Sequence, residues 1–311
     1  MKKIFLALIA AAALSSAQST TSSSVEQDAP DISRLQNECD SNNTLACVDL
    51  AVAYHSGNGV KQDYEKVKEL TSKACSWNND WSCATLGASY EYGKGVKQDY
   101  KKAIEMLSKA CDLKEGRGCY NLGLLYASGE GVKQDYKKAI ELLSKACDLK
   151  HGESCHNLGV LYEKGDGSVK QDYQKANQFY SKACDLEIAE GCYNLGASYE
   201  DGSGVKQNYK KAFELYSKAC NLGMAKGCYN MGVLYNLGKG VNQDYKKANE
   251  LYSEACDLGF GDSCYNLGVL YFYGKGVEQD ANTAKKYLNK ACDLGSQVGC
   301  DGYRKLNEQG F

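Results

Sequence analysis

Proline occurs once in the 311 residues, tryptophan twice and histidine three times. With 32 glycines and 24 tyrosines beside that single proline, the chain reads as helices punctuated by glycine turns. The three histidines, His55, His151 and His156, are too few for the histidine-rich sites of zinc hydrolases. His151 falls in a loop, and His156 takes the place that Tyr120, Tyr193 and Tyr229 hold elsewhere, so both read as ordinary side chains. An excess of either charge is also missing. The 37 basic and 39 acidic side chains leave a net charge of −2, which argues against nucleic acid as a partner because nothing is available to neutralise phosphates. The longest apolar run, Ile4 to Leu14, has eleven residues, about half of what a spanning helix needs, so no stable membrane anchor is expected. No two cysteines are closer than eight residues, whereas zinc sites cluster them about two to four apart. The turn sequence G-K-G-V-K-Q lacks the lysine–hydroxyl pair of a phosphate-cradling loop. No metal or other cofactor is expected.

What the chain does have begins at its amino end. Lys2 and Lys3 precede the apolar run, and Ser15-Ser16-Ala17 supplies the small residues that a signal peptidase reads. Residues 1–17 are therefore expected to be a cleaved signal peptide and 18–31 a flexible Ser/Thr-rich leader, with 32–311 the folded part. No cysteine follows the apolar run closely enough to carry a lipid. The mature protein is expected to be secreted or periplasmic. Sixteen cysteines, an even number in an exported chain, argue for a disulfide framework in an oxidising compartment.

Those cysteines carry the organisation of the chain. They fall as Cys39/Cys47, Cys75/Cys83, Cys111/Cys119, Cys147/Cys155, Cys184/Cys192, Cys220/Cys228, Cys256/Cys264 and Cys292/Cys300. Each pair is eight apart and successive pairs are displaced by 36 residues, once by 37. The extra residue lies in Gly167-Ser168, inside a turn. Aligned on this period the repeat is C-Y-N-L-G-x-L-Y-x-x-G-x-G-V-K-Q-D-Y-K-K-A-x-E-L-Y-S-K-A-C-D-L, occurring seven times. A fixed period of this size signals a solenoid.

Two helices fit in each unit. In the third, helix A is expected from about Cys119 to Ser128, with Leu122, Leu125 and Tyr126 on its buried face and Asn121, Leu124 and Ser128 opposite. Gly129 and Gly131 end it, and Asp135 caps helix B, which runs to about Cys147 with an apolar stripe through Ala139, Ile140, Leu143 and Ala146. Neither helix is long enough to be stable alone, so each repeat must bury itself on its neighbours. Glycines inside helix A, such as Gly87, Gly123, Gly159, Gly196, Gly232 and Gly268, each cost about 1 kcal/mol against alanine. Close approach of a neighbouring helix, with alanines such as Ala103 opposite, is the expected compensation. Lys101-Lys102 with Glu105 and Lys109, and Lys137-Lys138 with Glu141 and Lys145, read as i,i+4 ion pairs on a solvated face.

Two disulfide pairings are geometrically open, within a repeat at a spacing of 28 or across a repeat junction at a spacing of eight. The first leaves Cys39 and Cys300 unpaired at opposite ends of a solenoid; the second uses all sixteen cysteines. Eight-spacing is the expected pairing, each bridge contributing roughly 2–3 kcal/mol. Ile32 to Cys39 then reads as a solitary helix-B cap and Cys300 to Gln309 as a polar helix-A cap.

The motif L-G-x-L-Y-x-x-G-x-G-V-x-x-D-Y-x-K-A, as in Leu158 to Ala176, resembles the Sel1-like repeat, a relative of the tetratricopeptide repeat. With one cysteine closing helix B and another opening the next helix A, the chain is similar to the Helicobacter cysteine-rich protein family. The resemblance implies an all-α right-handed superhelix that acts as a binding scaffold. It also implies an exported protein of a branch to which penicillin binding and β-lactamase activity have been attributed, so that cell-wall peptides or β-lactams join peptides and proteins among the expected partners. The matching residues are structural, and no catalytic residue carries over.

A serine β-lactamase needs S-x-x-K together with S-D-N and K-T-G. Only Ser203-Gly204-Val205-Lys206 matches the first, in a turn where other repeats have Lys94, Glu130 or Lys239, and the other two motifs are absent. A binding face is more visible. Stacked helices A align Asn121, Asn157, Asn194, Asn230 and Asn266 in one column and Val52, Ala88, Leu124, Val160, Ala197, Val233 and Val269 in another. A third, mixed column is Ser56, Tyr92, Ser128, Lys164, Asp201, Leu237 and Tyr273. In related solenoids helix A lines the concave face. Amides there suit the backbone or carboxylate of an extended peptide; a packing role, with the asparagines bonding the neighbouring repeat, fits the same columns.

Overall fold

The computed structural model describes residues 30–165 and 169–310. The expected signal peptide, all but the last residues of the leader, and the Gly167-Ser168 insertion lie outside the described residues. Sixteen helices and no strand are found among them. They are α1 (Ile32–Asp40), α2 (Thr44–Ser56), α3 (Tyr64–Ser76), α4 (Asp80–Tyr92), α5 (Tyr100–Asp112), α6 (Gly116–Ser128), α7 (Tyr136–Asp148) and α8 (Gly152–Lys164), then α9 (Tyr173–Asp185), α10 (Ala189–Asp201), α11 (Tyr209–Asn221), α12 (Ala225–Leu237), α13 (Tyr245–Asp257), α14 (Gly261–Tyr273), α15 (Ala281–Asp293) and α16 (Gln297–Glu308). The fold is an all-α, solenoid-like succession of two-helix repeats. It divides between Lys170 and Gln171 into two compact units, one holding α1–α8 and the other α9–α16. Within each, consecutive helices pack on one another.

The V-K-Q-D-Y turn is built from three local contacts. Between α6 and α7, Gly129 ends helix A in the left-handed region at φ 79°. The Asp135 carboxylate accepts from the Lys138 amide at 3.0 Å, capping helix B as expected. Gln134, to which no role was assigned from sequence, donates through Nε2 to the Ala127 carbonyl at 2.8 Å, one of the acceptors that the end of helix A leaves open. Gln98, Gln207, Gln243 and Gln279 make the same bond in their own turns. The second glycine of the turn has a different duty. At Gly131 φ is 72°, and a Cβ there would collide with Tyr100 at the start of the preceding helix B.

All eight bridges have the expected eight-residue spacing, with Cα–Cα distances from 4.4 to 4.8 Å. They are Cys39–Cys47, Cys75–Cys83, Cys111–Cys119 and Cys147–Cys155 in the first unit. The second unit has Cys184–Cys192, Cys220–Cys228, Cys256–Cys264 and Cys292–Cys300. These residues are core rather than accessible site. On the helix-A side Cys47, Cys83, Cys119, Cys155, Cys192, Cys228 and Cys264 are completely buried, because a helix B packs over each joint. Cys292 and Cys300, in the last bridge, are half-buried. The sulfurs therefore add nothing to a binding surface.

Such close approach also dictates the residue beside each cysteine. A Cβ on Gly118 would lie 2.6 Å from the Cβ of Ala110, so only small residues fit where helix B passes to the next helix A. Helix A starts earlier than the apolar pattern indicated, at Gly116 rather than Cys119, because Glu115 caps it by accepting from the Arg117 amide.

Packing refines one expectation and corrects two. The glycines within helix A meet the helix-B alanine, as expected, together with the bulky residue four positions after it: a Cβ on Gly123 would sit 3.3 Å from both the Ala139 carbonyl oxygen and Leu143 Cγ, whereas one on Gly87 would sit 2.7 Å from Leu107 Cγ and one on Gly196 2.9 Å from the Tyr216 ring. Leu124, placed on the arc opposite the buried one, is buried, because helix A packs on helices of the adjacent repeats as well as on its own helix B. Lys109 and Lys145 do not pair with Glu105 and Glu141. Lys109 Nζ donates to the Cys75 carbonyl at 2.7 Å and Lys145 lies 3.5 Å from Asp112, both at the end of the preceding helix B. Lys73 and Lys218 reach the Cys39 and Cys184 carbonyls in the same way. A cation there satisfies open carbonyls and complements the negative end of the helix dipole.

Two outcomes follow from the junctions. The residue three after each helix-B cysteine is left-handed, and Lys114, Lys150 and Glu187 hold that conformation at φ 69°, 65° and 62°, where other repeats have Gly223, Gly259 and Gly295. Lys150→Gly should therefore raise the thermal midpoint by the equivalent of about 1 kcal/mol, the cost of a left-handed non-glycine residue; an unchanged or lower midpoint in calorimetry would show the residue is unstrained. Full reduction should broaden and lower the melt while most far-ultraviolet helical signal persists at room temperature, because the buried stripes of each repeat do not depend on sulfur.

Candidate functional site

The helix-A columns are the first place to look for a binding surface. Asn157 is buried at 5 % exposure, and its Nδ2 donates to the Tyr120 hydroxyl of the preceding repeat at 3.2 Å. Asn266 donates to Tyr229 at 3.3 Å, again one repeat back. Asn230 hydrogen-bonds the Tyr216 hydroxyl, which itself donates to Glu200 at 2.6 Å. Asn194 is also engaged. Asn121 is half-buried, and the repeat before it carries Ala84 where Tyr120 and Tyr229 serve the later asparagines. Asn157, Asn230 and Asn266 thus each tie one repeat to the next through a tyrosine side chain. Val160, Val233 and Val269 are half-buried beside them, and Leu124 is covered.

The mixed column is the most open. Tyr92 is 54 % exposed, Tyr273 63 %, and Leu237 also stands out from its helix. Each is the last residue of a helix A, α4, α14 and α12 respectively. Phe272 meets the Tyr273 ring edge-on at 5.1 Å, holding it outward. In the second unit Leu237 and Tyr273 occupy equivalent places on successive repeats, so two large apolar groups stand exposed without a role in packing.

In the turn after α10, the Ser203 carbonyl accepts from Asn177 Nδ2 at 2.7 Å and its amide donates to the Ser198 carbonyl at 3.1 Å; Gly204 is left-handed and Lys206 points into solvent. His151 stacks on Tyr120 at 4.6 Å with Nδ1 3.0 Å from Ser154 Oγ, and burial holds its pKa below the usual histidine value, favouring the neutral ring. His55 is exposed against the edge of Tyr64. Cys220, Cys228 and Glu254 lie within 4.8 Å of one another, but both sulfurs are joined in a bridge and offer no thiolate to a metal.

One residue was missed altogether. Glu91, next to Tyr92 on α4, is only 7 % exposed, and its Oε2 has no hydrogen-bond partner among the described residues. Burial pushes its carboxyl up to about 7, Glu130 adds repulsion, and the Tyr92 hydroxyl offsets part of this. The equivalent Glu200 accepts a hydrogen bond from the Tyr216 hydroxyl at 2.6 Å. Where Tyr216 stands, the repeat of Glu91 has Leu107, which has no hydrogen to give. The sequence signal was slight: the equivalent place holds His55, Glu163, Glu200 and Asn236 as well as Ala127 and Phe272, so a glutamate there reads as ordinary until Leu107 is seen in place of Tyr216.

A carboxyl held above its unfolded value keeps its proton in the folded chain while the unfolded chain releases it. Stability is thus complete below about pH 4.5, falls as the pH rises toward 7, and is flat above. The loss is on the order of 3 kcal/mol at most. Glu91→Gln should abolish this decline and melt higher than the parent at pH 8, with little difference at pH 4.5; parallel melting curves at the two pH values would rule out the buried charge.

Comparison with known proteins places this geometry. The Sel1 repeat family model matches residues 44–76, 82–115, 116–151, 152–187, 189–224, 225–260 and 261–296. Among solved structures the chain is similar to c5321, a protective antigen of uropathogenic Escherichia coli strains, at 26 % identity and a TM-score of 0.82, over 91 % of this chain and 60 % of that one. A Sel1 repeat protein from Oxalobacter formigenes aligns at 26 % identity and 0.70, over 88 % and 80 %. Helicobacter pylori cysteine rich protein B shares 42 % identity over 44 % of this chain and 98 % of its own, with a TM-score of 0.36. The chain spans 60 % of the length of the first of these, and a search of curated proteins finds no match. Seven matched repeats, covering nearly all the described residues and phased with the helix pairs, show that the chain belongs to the Sel1 repeat family.

Proposed function

We propose that this Sel1 repeat protein is an exported scaffold that binds an extended, peptide-like ligand or a partner protein along the face lined by helix A, which is concave in related solenoids. The family architecture is suited to protein–protein interaction, and eight disulfides suit an oxidising extracellular or periplasmic setting. No helix among the described residues is long and apolar enough to cross a membrane. Export by a cleaved signal peptide belongs to the proposal.

The observation that carries the reading is the exposed end of the helix-A column, where Leu237 and Tyr273 repeat one position apart in the solenoid. Aromatic and large aliphatic groups at the surface are the usual anchors of protein recognition. Beside them the asparagine column, with Val233 and Val269, offers amide groups between apolar patches. Each asparagine that spends its N–H on a tyrosine retains a carbonyl oxygen as acceptor. The hydrolase alternative, opening of a β-lactam, rests on resemblance alone; Ser203 and Lys206 lie in a solvent-facing turn without the partner groups of acyl transfer.

A displayed library of random dodecapeptides selected on the intact, oxidised protein tests the proposal. Binders should lose about tenfold or more in affinity on Leu237→Ser with Tyr273→Ser, while the melt stays unchanged because neither side chain supports the core. Asn230→Ala with Asn266→Ala should lower both stability and binding, since one amide bonds Tyr216 and the other Tyr229. Binders indifferent to the Leu237 and Tyr273 changes would overturn the surface. Turnover of a chromogenic β-lactam that vanishes on Ser203→Ala would restore the enzyme.

A further inference from the structure

At the junctions, where each helix B passes to the next helix A, the second unit has another apolar surface. Leu222, Leu258 and Leu294 are the C-caps of α11, α13 and α15, and they stand 37 %, 49 % and 42 % exposed. Their counterparts in the first unit, Leu113 and Leu149, are half-buried. Each exposed leucine is followed by a left-handed glycine, Gly223, Gly259 or Gly295, on which a Cβ would meet nothing within 4 Å. The three junctions lie side by side. Phe260 packs against the Cys220–Cys228 bridge and so joins the first to the second. Between the second and third, a Cβ on Gly261 would lie 3.2 Å from Leu294 Cβ, and Lys290 Nζ is 2.8 Å from Asp257. Ser296 Oγ also donates to Asp262 at 2.7 Å. The leucines therefore form one ridge. The length of α12, 13 residues, sets Leu222 about 20 Å from Leu237, so the ridge is distinct from the surface of Leu237 and Tyr273.

The charge on this ridge has one irregularity. Elsewhere a lysine two residues before the helix-B cysteine reaches the end of the preceding helix B: Lys218 Nζ donates to the Cys184 carbonyl at 2.7 Å, and Lys290 pairs with Asp257. Helix α13 brings Glu254 instead, exposed, with Oε1 3.7 Å from Cys220 Sγ. The carboxyl end of α11 thus meets a carboxylate where its dipole and carbonyl oxygens favour a cation. Asn221, in place of the aspartate that precedes Leu258 and Leu294, spares Glu254 a like charge. Residues 254–262 hold Glu254, Asp257 and Asp262 and no basic residue. Of the nearby bases, Lys218 and Lys290 are engaged at helix ends, and Lys226 opens α12. Exposed leucines rimmed by carboxylates complement a segment that carries apolar and basic side chains together.

We infer that this ridge docks a basic amphipathic segment of a partner protein. Its apolar side chains lie on Leu222, Leu258 and Leu294, and one lysine or arginine is set against Glu254 and the end of α11. That cation takes the place that Lys218 holds over Cys184. The ridge stands apart from the helix-A surface proposed above, and either can fail without the other.

The test uses the oxidised full chain and a labelled peptide of leucine and lysine patterned as an amphipathic helix, beside its counterpart with glutamate for every lysine. The lysine peptide should bind at least about tenfold tighter than the glutamate peptide; equal binding overturns the basic occupant. Leu222→Ser with Leu258→Ser and Leu294→Ser should reduce its affinity about tenfold or more, and binding that survives these changes overturns the ridge. Glu254→Lys, which restores the residue of the other repeats and removes no packing, should cost about tenfold as well. Glu214→Lys makes the same change of charge on the exposed face of α11; an equal loss there would reduce the binding to bare charge attraction and overturn the ridge. Leu237→Ser with Tyr273→Ser should leave the lysine peptide bound as before, and a loss would move it to the helix-A surface. A dimer of the unliganded protein that dissociates on the leucine changes, read by sedimentation, would assign the ridge to a second copy and overturn the basic partner.

Discussion

The joint at which one helix B passes to the next helix A is the constraint on which the rest of the array depends. A bridge holds the two backbones within 4.4 to 4.8 Å, and that distance selects the residues around it. Only alanine and a similarly small residue fit side by side, as Ala110 and Gly118 do. The chain must also reverse within three residues, which calls for the left-handed position after each cysteine. A lysine from the following helix B then covers the exposed carbonyls of the preceding one, as Lys73 covers Cys39. Covalent, steric and electrostatic terms therefore meet at one place and repeat along the chain. Each repeat gains its stability from its neighbours, as expected of quasi-one-dimensional folds.

Where that pattern is interrupted, the repeats differ in what they can do. Glu254 occupies the place of Lys218 and Lys290, and puts a carboxylate 3.7 Å from the Cys220 sulfur where the other repeats bring a cation to a helix end. Leu107 and Leu143 stand where the second unit has Tyr216 and Tyr252. The second unit consequently has tyrosine hydroxyls in its core that serve Glu200, Asn230 and Asn266, while in the first Leu107 has no hydroxyl to offer Glu91, whose Oε2 is left without a partner among the described residues. The same two-helix repeat thus carries different side-chain chemistry in the two units.

Much of the architecture was legible from spacing. A period of 36 with cysteines eight apart led to the helix pairs, the glycine stops, the aspartate caps and the bridges, and the helices start and end within about three residues of the pattern. The surroundings of the helix-A columns were less legible. Asn157 belongs to a column whose register is easily read, yet periodicity alone does not say whether such a column faces solvent or bonds the previous repeat. Its partner, Tyr120, lies 37 residues away.

The repeat length, the succession of helix pairs and the pairing of all eight bridges were determined by the sequence alone, because each depends on local propensity or on a count along the chain. The tertiary structure decided the covering of Leu124, the reach of Lys109 to the Cys75 carbonyl, the use of asparagines as ties between repeats, and the burial of Glu91 with one oxygen unpaired. These depend on which side chain of a helix one hairpin or one repeat away fills the adjoining space. Leu107 beside Glu91, where Tyr216 stands beside Glu200, is a difference of one hydroxyl whose consequence exists only once the two helices are packed.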